Sequence, residues 1–207
     1  MDSIPLATHE RACFVELLET LTSEQWRTPT LCTGWCVHDL VAHVISFDEL
    51  GAPDLLRRLA RAGFNPNRAN AIGLDEYRRR SPEELVALLK KYVRPRGFTT
   101  LFGGLIALTD CTIHHQDIRR PLGLPREIPE GQLRRVLRFA LFAPVIRGAL
   151  RTRGVRLVAT DLDWSFGRGP EARGTAEALL MTMAGRRGIT PDLSGPGVAK
   201  LAARIAS

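Results

Sequence analysis

Two helical stretches of this chain carry imidazole and carboxylate where the pattern calls for apolar side chains, and each must find its polar groups a partner. The first is Gly34-Trp35-Cys36-Val37-His38-Asp39-Leu40-Val41-Ala42-His43. The second is Asp110-Cys111-Thr112-Ile113-His114-His115-Gln116-Asp117-Ile118-Arg119-Arg120. A buried polar group without a partner is costly, so such segments are confined to folds in which they meet something complementary. Positions i and i+4 share a helix face, so Asp110 and His114 point the same way and can grip one cation. If His43 meets them, the set is two imidazoles and a carboxylate, three protein ligands with a fourth position left open. Such ligands suit zinc, nickel or ferrous iron, and with no sign of redox chemistry zinc is the expected ion. The competing reading needs no ion: buried histidines satisfied by hydrogen bonds, and an Asp–His pair that is only a polar face.

The chain has 207 residues, enough for one large domain or two small ones. Its net charge of +7 comes from 29 basic and 22 acidic residues, the excess being mostly arginine. No nucleic-acid-binding motif accompanies that charge, and with 6% aromatic residues the chain has few stacking platforms, so nucleic acid is not an expected partner. The guanidinium fork matches a small carboxylate equally well. The start of the chain lacks the pattern of a signal peptide, and uncharged runs such as residues 101–109 are too short to span a bilayer. A cytoplasmic location and no membrane partner are expected. Cys13, Cys32, Cys36 and Cys111 are too scattered for a disulfide scaffold and are expected to be free thiols. There is no phosphate-cradling loop, dinucleotide fingerprint or nucleophile elbow, and Gly167-Arg168-Gly169-Pro170 reads as a strand-end turn.

The apolar spacing predicts a mainly α protein, with a helical bundle over 1–124 and a small α+β domain over 125–207. Cys13, Phe14, Leu17, Leu18 and Leu21 form one helical stripe. A second helix is predicted from near Val37 to Leu50, with a basic piece from Leu55 to Ala62 and another helical stretch leading into Tyr77. Ser81-Pro82-Glu83-Glu84 is a helix start, with Ser as N-cap, Pro first and acids in the first turn. The last bundle helix is predicted over Leu101–Arg119, ended by Pro121 and Gly123. Beyond it come a basic helix over Leu133–Leu150, a hairpin from residues 154–160 and 164–166, a helix over Ala176–Ala184 and a last helix near the end.

Within the two motifs, His43 shares its side of the helix with Leu40, Val44 and Phe47. Asp39 is a helix cap, a partner for His43 or a surface group, and His38 a surface or capping residue. Asp110, His114 and Asp117 fall on one face, with Asp117 expected to pair with Arg120 or another arginine. His115 and Cys111 lie about 100° around the helix from His114 and Asp110 and point elsewhere.

With Pro29 and Cys32 ahead of it, the Trp35-to-His43 stretch resembles the start of the second helix in DinB-like four-helix metalloproteins. The run from Ile113 to Gly123 resembles the last bundle helix of the mycothiol-dependent maleylpyruvate isomerase-like family, a branch of that superfamily. The hairpin, Gly185-Arg186 and Gly195-Pro196-Gly197 are similar to that family's second domain. The resemblance implies a DinB-like four-helix bundle with a small C-terminal α+β domain. It implies a divalent metal, usually zinc, held by His43 and His114 and by a carboxylate four residues before the second histidine. The family has glutamate there; this chain has Asp110, one methylene shorter. It implies mycothiol as a thiol cosubstrate, a small electrophilic and anionic substrate, and an isomerase or thiol S-transferase acting as a monomer or homodimer. Arg119, Arg120, Arg186 and Arg204 are the candidate substrate-binding residues. The shorter acid keeps open a non-catalytic bundle with a degraded metal site; a metal-dependent hydrolase is the other alternative.

Overall fold

The computed structural model describes residues 2–206. It divides into two compact units, Met1–Pro125 and Arg126–Ser207. The first unit is helical: α1 (Ile4–Thr20), α2 (Val37–Ile45), α3 (Ala52–Arg61), α4 (Pro66–Tyr77), α5 (Pro82–Lys91) and α6 (Leu105–Arg119). Helices α1 and α2 each pack against both α5 and α6, which closes a four-membered ring. Phe14, Leu18, Leu40, Ile45, Leu85, Leu89 and Ile118 fill its centre, and all are fully or almost fully buried. Helix α4 packs on the outer side of α2 and carries α3 with it.

The helix limits follow from local chemistry. Ser81 caps α5 through its hydroxyl on the Glu84 N–H, and the Glu84 carboxylate returns to the Ser81 N–H at 2.6 Å, a reciprocal capping box. Asn65 is a simple N-cap of α4, its side-chain oxygen accepting the Asn67 N–H at 2.9 Å. Helix α2 stops at Ile45, five residues short of the Leu50 expected from periodicity. The Ser46 hydroxyl turns back to the His43 carbonyl at 2.9 Å, and buried Arg58 takes the Ser46 carbonyl at 2.8 Å, so the end of the ladder is satisfied without further helix. Helix α6 starts at Leu105 rather than Leu101 because Gly103 and Gly104 sit at φ of +65° and +84°, a left-handed pair that breaks a right-handed helix.

The second unit contains α7 (Glu130–Phe142), α8 (Gly148–Arg151), β1 (Arg156–Ala159), β2 (Ser165–Phe166), β3 (Glu171–Gly174), α9 (Ala176–Met183) and α10 (Val198–Ala206). The single basic helix expected over Leu133–Leu150 is two helices. Pro144 follows the first, and Arg147 at φ +55° begins the second. The expected hairpin is present: β1 and β2 pair antiparallel with Leu157 opposite Phe166. A third strand, β3, runs parallel to β1 on its other edge with Leu157 opposite Ala172, giving the order β2-β1-β3. Sequence patterning does not announce it, because four residues directly after a glycine turn are too few to alternate visibly. Among the described residues, no helix is long and apolar enough to cross a membrane.

Candidate metal centre

The loop ahead of α2 sets the first side of the site. Cys32, Thr33, Gly34 and Trp35 form a tight turn closed by the Trp35 N–H to the Cys32 carbonyl at 3.0 Å. Gly34 lies at φ +82°, the left-handed position that such a turn asks of its third residue. The Thr30 hydroxyl donates to the Trp35 carbonyl at 2.9 Å, and the Leu31 N–H donates to the Asp117 carbonyl at 3.1 Å, which ties the loop to α6. The turn delivers the Trp35 ring to within 4.9 Å of the His43 ring, centroid to centroid. Asp39 is the third residue of α2 and closes the capping box on Cys36, the N-cap. Its carboxylate accepts the Cys36 N–H at 3.2 Å and the Arg78 Nε–H at 3.0 Å. Burial pushes its pKa up, but these bonds outweigh burial and hold it below the usual range. His38 is half-buried, with Nε2 2.8 Å from the Arg80 carbonyl oxygen and its ring edge-on to Trp26.

His43 and His114 meet across α2 and α6. Their rings stand 5.1 Å apart and nearly perpendicular, both are buried, and Phe47 closes the other side of His43. Asp110 joins them, its Oδ1 3.4 Å from His114 Nε2. One ligand atom from each of His43, Asp110 and His114 lies within 4.8 Å of the others. Tetrahedral ligands about 2.0–2.1 Å from a zinc ion stand roughly 3.3 Å from one another, so the Asp110–His114 spacing matches one edge of such a site. Two imidazoles and a carboxylate are also the donor types that zinc accepts. By spacing and donor type the three residues fit a divalent cation.

The Asp117 carboxylate faces His114. Oδ2 lies 2.9 Å from His114 Nδ1 and accepts the Cys32 S–H at 3.1 Å, and the Asp117 side chain is wholly buried. Cys32, His114 and Asp117 also form a cluster of potential ligand type. Their separations are those of direct hydrogen bonds, shorter than a metal's ligand edge for the acid–imidazole pair. With Nδ1–H held by Asp117, the Nε2 lone pair is the one aimed at Asp110 and His43, a carboxylate–histidine arrangement typical of the support behind a metal ligand. Burial alone would lower the His114 pKa, but the Asp110 charge and the bonds to Asp110, Asp117 and Cys32 raise it well above the ordinary histidine value. Asp110 answers in kind: burial pushes it up, and the attraction of His114 overrides this and brings it to about 2. His114 thus sits between two carboxylates, and a cation at Nε2 would compete with a proton there.

Behind the three residues lies a buried pair that periodicity did not single out. Arg11 of α1 meets Asp48 at 3.0 Å, with both side chains essentially inaccessible. Arg11 also donates to the Tyr92 carbonyl at 2.9 Å, and the Thr99 hydroxyl donates to Asp48 at 3.1 Å. Burial drives the Asp48 pKa to about 6 against the pull of Arg11 and Thr99, and the neighbouring Asp110 charge adds to the rise. A signal existed: Ala7, Glu10, Arg11, Phe14, Leu17 and Leu18 share one buried stripe, so two charged residues on it had to be paired. Glu10 meets its partner in His115, 3.0 Å away and fully buried, which confirms that His115 points away from His114's site.

The candidate substrate arginines are distributed over both units. Arg119 donates from Nε to His115 Nε2 at 2.8 Å, and Arg120 follows α6 as its C-cap. In the second unit, Arg186 reaches the Ala184 carbonyl at 3.3 Å, and Arg204 grips the carbonyls of Arg151 and Arg153. Cys13, Cys32, Cys36 and Cys111 are thiols, none of them in a disulfide.

Two solved structures share this chain's fold. One is a histidine-to-alanine mutant of the mycothiol-dependent maleylpyruvate isomerase, with TM-score 0.58, 13% identity, and 93% of this chain and 91% of that chain covered. The other is the mycothiol-dependent maleylpyruvate isomerase itself, with TM-score 0.56, 14% identity and the same coverage. No curated protein matches the sequence. The mainly α, DinB-like architecture with its small α+β second domain is therefore that of these isomerases. Residues 7–96, which span α1 through α5, match the family described as mycothiol maleylpyruvate isomerase N-terminal domain.

Proposed function

We propose that this chain is a metal- and mycothiol-dependent isomerase or thiol S-transferase of the cytoplasm, acting on a small, electrophilic, anionic substrate. The observation that carries the reading is the convergence of His43, Asp110 and His114 from two helices, one ligand atom of each lying within 4.8 Å of the others. A divalent cation bound there, zinc by donor type, supplies the Lewis acidity that favours the thiolate form of a thiol at neutral pH.

The chain's own residues prepare the rest. Asp117 holds His114 in one tautomer and one orientation through Nδ1. Cys32 donates to the same oxygen and ties the loop before α2 to that arrangement. Trp35 and Phe47 wall the His43 ring with apolar surface, which keeps water off that side and strengthens electrostatic interactions there. For an isomerisation, the thiol sulfur adds to an activated cis double bond, the resulting single bond rotates, and the sulfur leaves as the double bond re-forms. No atom is gained or lost. A transferase would stop at the adduct. The substrate's carboxylate calls for a guanidinium, sought among Arg119, Arg120, Arg186 and Arg204. The working form is a monomer or homodimer.

One observation favours a second reading. His114 has a carboxylate at each ring nitrogen, Asp110 at Nε2 and Asp117 at Nδ1, so the same cluster makes sense as a buried polar group in a non-catalytic bundle. Elemental analysis of protein purified without added ions separates the two. Stoichiometric zinc, lost in His43→Ala and in His114→Ala with helicity retained, supports the metal site. A cobalt-substituted protein whose spectrum changes on adding thiol supports the thiol reaction, and indifference to thiol points to hydrolysis by metal-activated water instead. Protein free of metal, or unchanged metal content in the two variants, refutes the ligand assignment.

A further inference from the structure

The charge of this chain is not spread over it. Residues 1–125 balance fifteen basic against fifteen acidic residues, whereas residues 126–207 hold fourteen basic and seven acidic ones and so carry the entire +7. Within the second unit the asymmetry is sharper still. Residues 131–160 contain seven arginines and no aspartate or glutamate. The same stretch exposes the largest apolar side chains of the unit: Phe142 at 74%, Val145 at 70% and Leu150 at 61%.

These residues form one feature. Arg138 precedes Phe142 by one helical turn on α7. Pro144 and Val145 make the exposed link to α8, Arg147 opens that helix in a left-handed conformation, and Leu150 and then Arg153 follow at three-residue steps. The link is held in shape from beneath. Arg151 turns inward and donates to the Ile146 carbonyl at 2.7 Å and to the Met183 carbonyl. Phe142 stands edge-on to Phe166 of β2. Among the described residues, no carboxylate lies within ion-pair distance of Arg138, Arg147 or Arg153. Positive charge accumulates here without internal neutralisation: burial, together with Arg186 and Arg147, holds Arg151 below the usual arginine range.

We propose that the α7–α8 turn is a docking site for an anionic lipid surface, with Phe142, Val145 and Leu150 entering the headgroup boundary and Arg138, Arg147 and Arg153 meeting lipid phosphates. This revises the sequence-based expectation of no membrane partner: the chain has no spanning helix, but an apolar wedge ringed by cations is the chemistry of a peripheral contact. Nucleic acid would satisfy the arginines and leave the three apolar side chains in water. A second copy would cover the apolar side chains but set arginine against arginine across a two-fold axis. A bilayer carrying acidic headgroups meets both requirements. The inference does not depend on the metal centre.

The test is co-sedimentation of the full chain with phosphatidylcholine vesicles, with and without phosphatidylglycerol, alongside duplex DNA at equal phosphate and sedimentation equilibrium of the protein alone. Binding is expected only to the phosphatidylglycerol vesicles, weakening as salt is raised. Each of Arg138→Gln, Arg147→Gln and Arg153→Gln should weaken it about fivefold. The pair Val145→Ser and Leu150→Ser, both at exposed positions, should weaken it roughly tenfold with circular dichroism unchanged. Failure to bind acidic vesicles overturns the proposal. So does vesicle binding that the serine pair leaves intact, since the contact would then be charge alone. DNA binding stronger than vesicle binding, or a dimer that the serine pair dissolves, overturns it in favour of those partners.

Discussion

Asp117→Asn tests the logic of the metal centre more sharply than removal of a ligand, because it leaves all three proposed ligands in place. The Asp117 carboxylate is wholly buried, and its Oδ2 faces two hydrogens at once, that of His114 Nδ1 at 2.9 Å and that of Cys32 Sγ at 3.1 Å. Asparagine keeps the shape but offers one carbonyl oxygen and an NH2 in place of the second oxygen. It also loses the charge that strengthens the bond to His114. A hydrogen bond to a charged group contributes about 1.5–3 kcal/mol, and its neutral counterpart about half that. Loosening the orientation of a ligating histidine by this much corresponds to a roughly 10–100-fold loss of metal affinity. Isothermal titration with zinc at fixed pH reads that loss directly, with circular dichroism to show that the helices remain. Cys32→Ser is the companion variant: its hydroxyl still donates to Asp117, so affinity should stay near that of the parent. An Asp117→Asn protein that binds zinc within about twofold of the parent would mean that His114 is oriented by packing alone, and the argument for its Nε2 as the ligand atom would fall.

Three further outcomes follow from the same geometry. Asp110 Oδ1 already stands 3.4 Å from His114 Nε2, so the shorter acid reaches its place; Asp110→Glu should lower zinc affinity, and a gain would show the aspartate to be a strained ligand. Burial holds the Asp48 pKa at about 6 in the folded state, above the ordinary aspartate value, so it contributes stability in acid that is lost as pH rises through 6. Urea denaturation should therefore show about 1 kcal/mol of stability gained on Asp48's account from pH 7 to pH 5, a gain missing in Asp48→Asn, and identical pH slopes in the two proteins would refute it. Gly73 of α4 lies so close to α2 that an added Cβ would come within 2.6 Å of the Ser46 hydroxyl and 2.8 Å of buried Arg58; Gly73→Ala should cost about 1–3 kcal/mol in chemical denaturation, and a neutral result would show that Arg58 can move aside.

The limits of the sequence reading have physical causes that can be located residue by residue. Caps and breakers act locally, so Ser81, Asn65 and the Pro144 break work through groups within a few residues of themselves. The first of these was legible as a helix start, whereas the last was overlooked inside an apparently continuous periodic stretch. The left-handed pair Gly103-Gly104 was equally local, yet the apolar residues around it kept the pattern going across the break. Periodicity assigns faces but not partners. It placed Asp110, His114 and Asp117 on one side of α6, and that is where they are. It could not say that Asp117 would be met by a cysteine from a loop 85 residues earlier in the chain. That meeting depends on the Gly34 turn and on the Leu31 N–H reaching the Asp117 carbonyl, both products of the folded loop.

The buried charges carry the same lesson further. Glu10 and Arg11 occupy stripe positions on α1 that would normally be apolar, and each is matched by a group from a distant segment, His115 and Asp48. Replacing such pairs by apolar residues of similar volume is often neutral or stabilising, so stability alone gives little reason to bury two of them side by side. Their placement gives another. Arg11 adds to the pull that keeps Asp110 ionised, while the Asp110 charge helps to raise Asp48. The pair therefore adds to a field at Asp110 in which His114 and then His43 dominate. An aspartate held ionised by its surroundings presents a full negative charge at His114 Nε2. On this account, the charges of α1 and of the segment after α2 reinforce the pull of His114 and His43 on an aspartate that already reaches its place.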